Sequence, residues 1–108
     1  MKSFRTLDLA VEFYELVETV PASGNLKDQL KRAASSIALN LSEGNARGSA
    51  KDKLSFFQTA YASLRECQTI FRLLKIEDEK MWASADKLGG NLYRLVNSDI
   101  KASPNWRR

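Results

Sequence analysis

The fold is decided between Gln29 and Glu66, in the stretch QLKRAASSIALNLSEGNARGSAKDKLSFFQTAYASLRE. Before its centre, Leu26, Leu30, Ala33, Ile37 and Leu41 recur at spacings of three and four. That period places them on one face of a helix. After the centre, Leu54, Phe57, Tyr61, Leu64, Gln68 and Phe71 do the same, while Phe56, Ala60, Ser63, Cys67 and Ile70 trace a second stripe. Between the two helices lies LNLSEGNARGSAKDK, Leu39 to Lys53, a polar segment with two glycines. It reads as one helix ending and another beginning. Gly44 suits a residue that stops the second helix in a left-handed conformation. Ser49 followed by Asp52 resembles a capping box, with aspartate in place of the usual glutamate.

Outward from this pair, the same period defines two more helices. Residues 3–20 carry Phe4, Leu7, Val11, Tyr14 and Val17 as a stripe, and Pro21 ends the helix. PASGN is a loop, with Asn25 in position to cap the second helix. Asp78 can cap a fourth helix, in which Met81, Ala85, Leu88, Leu92 and Leu95 repeat at four, three, four and three. Gly89 and Gly90 fall inside it. Two glycines cost about 2 kcal/mol against alanine in a helix interior, so a bend or a closely packed backbone is expected there. The third helix is apolar on two sides and therefore has more than one partner, one of which is expected to be another subunit. Short connections make successive helices antiparallel neighbours. The expected fold is all-α, an antiparallel up-and-down four-helix bundle over residues 1–102, with a mobile basic tail at 103–108.

Composition narrows the chemistry. The chain has 108 residues, one cysteine (Cys67) and no histidine. This excludes an internal disulfide, triads of the usual kind and most zinc and di-iron sites. No cofactor, no metal and no enzymatic activity are expected. No apolar run reaches the roughly 20 residues that span a bilayer. The first residues acquire acids too early for a signal peptide, so a cytoplasmic location and no membrane contact are expected. Cys67 reads as a buried, inert thiol.

The net charge is +4 and the pI about 9.4. The charge is segregated: residues 27–53 carry +3, whereas residues 3–20 carry −3. Lys27, Lys31, Arg32, Arg47, Lys51 and Lys53 form the basic set, a candidate phosphate-binding surface. Its bland alternative is a solvated face, or pairing with the acidic first helix. Trp82, Tyr93 and Trp106 offer rings for stacking, but none sits among the basic residues of the loop, and Trp82 reads better as an edge cover. GNARGSAK fails the spacing of a phosphate-binding loop. Asn40 and Glu43, three apart, share a helix face, and Arg47 can return to Glu43 as a polar clamp that fixes the turn. Glu66 should lie level with Leu26, facing the amino end of the second helix or Lys27.

These residues carry a family resemblance. Arg32-Ala33-Ala34, Ser36-Ile37, Asn40-Leu41, Glu43-Gly44 and Arg47, followed by Phe56-Phe57, Ser63-Leu64 and Glu66, resemble in order and spacing the 23S rRNA-intervening-sequence proteins, also called four helix bundle proteins. Ala38, Ser42 and Asn45 depart from the residues usual in that family. The resemblance implies a bacterial protein whose bundle assembles as a homo-oligomeric ring, typically a pentamer. It also implies a relation to accessory proteins of diversity-generating retroelements, which bind a reverse transcriptase and nucleic acid. The resulting expectation is a non-enzymatic oligomer that binds nucleic acid, RNA above all. The alternative is an adaptor that docks a larger enzyme such as a reverse transcriptase.

Overall fold

A computed structural model describes residues 4–99. Over these the chain is all-α: α1 (Arg5–Glu18), α2 (Asn25–Ala46), α3 (Ala50–Leu73) and α4 (Glu79–Arg94), with a π-helical turn, Leu95–Asp99, continuing α4. No strand is present among the described residues. Each helix packs on the next, and α4 returns to α1. The tail at 103–108 and Trp106 lie outside the described residues.

The most extensive packing is between α2 and α3. Gly44 lies against Phe56 and Phe57, Ser36 Oγ is 3.0 Å from Ser63 Oγ, and Cys67 Sγ meets the Leu30 carbonyl oxygen at 4.0 Å. Partners thus descend along α2 as they ascend along α3. The small residues of RAASSIA explain the closeness: Ala33 and Ala34 are buried, and Ser36 meets Ser63. Asn40 Nδ2 donates to the Ser36 carbonyl and to Ser36 Oγ, so the polar atoms at this seam satisfy one another.

The two apolar stripes of α3 are both used within the chain. Phe57, Leu64 and Phe71 from the first, and Ala60, Cys67 and Ile70 from the second, are buried together with Leu30, Ile37, Leu41, Met81, Ala85, Leu88 and Leu92. Four helices around one core supply a partner for each side. A second subunit is not needed to explain them.

Several local expectations change. The fully buried face of α1 is Thr6, Leu9, Ala10, Phe13 and Val17; of the expected stripe, Phe4, Leu7 and Tyr14 are half-buried against the core and Val11 is exposed. Both sets have helical spacing, and only Val17 belongs to both. Val11 is 46% exposed, while Phe13 is fully buried and tilts against Phe71 with centroids 5.8 Å apart. The N-cap of α2 is Gly24 rather than Asn25. Its φ of 86° is a left-handed conformation that glycine adopts without strain, and it turns the chain into the helix one residue earlier.

Gly44 does not stop α2; it lies within the helix, two residues before its end. Its role is close approach. A Cβ there would stand 2.7 Å from Phe57 Cε1 and 2.9 Å from Phe56 Cβ, inside van der Waals contact. The left-handed residue at a helix end is instead Lys75, with φ 59°. Its N–H bonds the Arg72 carbonyl and that of Ile76 bonds the Phe71 carbonyl, the two bonds of a Schellman motif.

The caps at Ser49 and Asp78 form as expected. Ser49 Oγ accepts from the Asp52 N–H at 3.1 Å, and Asp78 Oδ1 accepts from the N–H groups of Lys80 and Met81. Helix α4 runs through Gly89 and Gly90 without a break. A Cβ on Gly89 would be in ordinary contact with Leu64 Cδ2 at 3.4 Å, and one on Gly90 would meet nothing within 4 Å. Close packing within the chain therefore does not account for Gly90.

Candidate nucleic-acid interface

The six basic residues singled out by the sequence separate into two groups. Lys27 and Lys53 are bound to backbone. Lys27 Nζ donates to the carbonyls of Val17, Glu18 and Val20, at the carboxyl end of α1. Lys53 Nζ donates to the carbonyls of Gly44 and Asn45, at the carboxyl end of α2. The last carbonyls of a helix lack intrahelical donors and carry the negative end of its dipole, so an ammonium group is well placed there. These two lysines bind helix ends first, and their charge is less available to a phosphate.

Arg47 is intermediate. It caps α2 and forms the i,i+4 ion pair with Glu43 that the sequence suggested. Its guanidinium also lies over the Phe56 ring, 4.8 Å from the centroid. Both partners of the ion pair are exposed, so the pair contributes little stability; it orients Arg47. Asn40 is not part of that clamp, because its amide turns to Ser36. Lys31, Arg32 and Lys51 project into solvent. Their charged ends make no hydrogen bond or ion pair among the described residues.

Glu66 is exposed on α3 and does not reach Lys27, whose ammonium group is held on α1. Its effect is on its neighbour. Burial pushes the Cys67 thiol up to about 12, and the Glu66 carboxylate adds to the rise. Cys67 is fully buried and free, so it stays a thiol at neutral pH. No group of three His, Cys, Asp or Glu side chains that could hold a metal occurs among the described residues. Three clefts of the bundle lie between the α1–α2 and α3–α4 connections, between α1 and α4, and between α1 and α2; none of these three is lined by Glu43 or Glu66. No helix among the described residues is long and apolar enough to cross a membrane.

Two features went unseen in the sequence. One is an exposed apolar cleft between α1 and α2, lined by Val11, Tyr14, Ser35, Ala38 and Leu39, with Leu39 69% exposed. Leu39 is off the core stripe, which was its only signal. The other is an aromatic and basic cluster on α3 and α4. Arg65 lies over the Tyr61 ring, 4.9 Å from its centroid, and donates to Tyr61 Oη at 2.7 Å and Gln68 Oε1 at 2.9 Å. Tyr93 meets Tyr61 edge-on at 6.5 Å. The spacing of Tyr61, Arg65 and Gln68 was legible, but the arrival of Tyr93 from α4 was not. Trp82 is an edge cover: its Nε1 donates to the Ile76 carbonyl, and its ring packs edge-to-face on Phe71.

No curated protein and no solved structure matches the chain. The family model of the 23S rRNA-intervening sequence protein matches residues 4–95, which takes in all four helices from the start of α1 to the end of α4. On that match the chain belongs to the 23S rRNA-intervening sequence protein family.

Proposed function

We propose that this protein is a non-enzymatic, cytoplasmic oligomer that binds nucleic acid, RNA in preference, through basic surfaces repeated around a ring of antiparallel up-and-down bundles. The observation that carries this reading is a set of exposed cations without a protein partner among the described residues, Lys31 and Arg32 on α2 and Lys51 at the start of α3, to which Arg47, paired with Glu43, adds a fourth. Free, solvated cations release counterions from a polyphosphate when they bind it. Repetition around an axis, as in the pentamer the family resemblance implies, adds such contacts on one strand.

RNA affinity measured over a salt series tests this. Binding should weaken steeply with salt, by about 0.7 in the logarithmic slope for each phosphate contacted on a single strand. Replacing Lys31, Arg32 and Lys51 together by glutamine should flatten that slope while leaving the thermal midpoint unchanged. Lys27→Met and Lys53→Met should instead lower the midpoint, because they uncover helix-end carbonyls. Absence of binding at low salt, or a salt-insensitive signal, would refute the reading.

The exposed cleft at Val11 and Leu39 favours a second reading, an adaptor that docks a larger enzyme such as a reverse transcriptase. A partner enzyme recovered with the protein after nuclease treatment would support it; recovery lost with nuclease would favour the nucleic-acid reading.

A further inference from the structure

The glycine pair in α4 lacks a reason inside the bundle. Gly90 is exposed and a side chain there would meet nothing, yet each glycine costs the helix about 1 kcal/mol relative to alanine. What the pair does create is bare backbone directly before Tyr93. A helical side chain leans towards the turn three and four residues before it. For Tyr93 those residues are Gly90 and Gly89. The ring therefore stands beside a ledge with no side chains on it. It is 55% exposed, and its contact with Tyr61 is edge-to-face at 76°, which leaves ring surface open to a ligand.

The wall of this ledge is polar and cationic. Arg65 is exposed, and its position is fixed by Tyr61 Oη, Gln68 Oε1 and the Tyr61 ring. Such an arginine is held in place before any ligand arrives, so less entropy is lost on contact. Arg94, next to Tyr93, is a second exposed cation. Asp86 is the acid on the same side of α4, two turns before Tyr93. An open aromatic face, a flat floor without side chains and a pre-set guanidinium are the requirements of an unpaired nucleobase with its phosphate. A duplex groove presents base edges rather than faces, so the paired interior of a duplex offers no base that can lie flat on the ledge.

We infer that Tyr93, with Gly89 and Gly90 beneath it and Arg65 and Tyr61 beside it, is a stacking site for one unpaired base of a single-stranded nucleic acid. This rests on the nucleic-acid reading above and gives it a second, non-electrostatic component. It is also separate from the cations Lys31, Arg32 and Lys51. The base supplies the chemistry in RNA and DNA alike, so this site does not distinguish the two.

The test is fluorescence anisotropy with four probes: an oligoadenylate RNA, its DNA equivalent, an abasic DNA of equal length and a duplex RNA. Tyr93→Leu should weaken binding to both single strands roughly five- to hundredfold, the range of one lost base–aromatic stack. It should leave the abasic and duplex probes unaffected and the salt slope unchanged, because no charge is removed. Tyr93→Phe should restore what the leucine loses. Arg65→Gln should lower the slope on the single-stranded probes, the abasic strand included, and leave the duplex unchanged. If the unaltered protein binds no probe at low salt, the nucleic-acid reading falls and this site with it. If it binds but Tyr93→Leu binds equally, the site is refuted and the wider reading stands. Equal losses on abasic and base-bearing strands, or a change of mass in sedimentation on replacing Tyr93, would refute it too, the last by showing a protein contact.

Discussion

At the scale of single residues, two helical glycines, each followed by asparagine, do opposite things. Gly44 has no room for a Cβ, and Gly90 has nothing around one. Gly44→Ala forces the Phe57 ring to move, and overpacking of this kind costs about 1–3 kcal/mol. Gly90→Ala only removes backbone freedom from the unfolded chain and should stabilise by about 0.5–1 kcal/mol. Urea denaturation of the two variants should shift in opposite directions. Cys67 adds a pH dependence with a definite sign. Its thiol titrates near 9.0 when unfolded and is pushed up to about 12 in the fold, chiefly by burial. The unfolded chain therefore loses this proton first. The resulting stabilisation is complete below pH 9 and is lost as pH rises towards 12, with a slope near 1.4 kcal/mol per pH unit. Cys67→Ala should flatten this part of the stability curve. In the native protein the thiol should resist alkylation at pH 8 until denaturant is added.

At the scale of elements, the helices were legible because their apolar residues recur at three and four, and because Ser49, Asp78 and Pro21 punctuate them. Their ends and faces were less so, for physical reasons that differ from one helix to another. Helix α1 has two stripes of equal regularity, and nothing local chooses between Val11 and Phe13; the choice is made by Phe71 on another helix. At α2 a glycine near a helix end fits both a left-handed stop and a close approach, and only the position of Phe57 decides. The cations Lys27 and Lys53 looked like the rest of the basic set because their carbonyl partners are ten or fewer residues away in sequence but belong to the preceding helix. The caps allow a direct check. Ser49→Ala removes the acceptor for the Asp52 N–H and should cost about 1 kcal/mol. Asn25→Ala should cost almost nothing, since Gly24 holds the cap position. Equal losses in thermal denaturation would place the start of α2 one residue later.

At the scale of the whole molecule, the question is which surface the proposed ring would cover. The two-sided third helix was the first candidate, but residues of both its stripes are consumed by the core. An uncovered apolar surface lies instead between α1 and α2, where Val11 and Leu39 are exposed. Val11 and Tyr14 meet Ala38 and Leu39 across the α1–α2 cleft. A contact between subunits buries such a patch at about 25 cal/mol for each Å² of apolar area. Leu39→Glu tests this without touching the core, because Leu39 is 69% exposed and makes no part of the buried cluster. The variant should keep its helical circular dichroism, while sedimentation velocity moves from the oligomer to the monomer. An oligomer of unchanged mass would take the α1–α2 cleft out of the ring contact and leave it free for the larger enzyme of the adaptor reading.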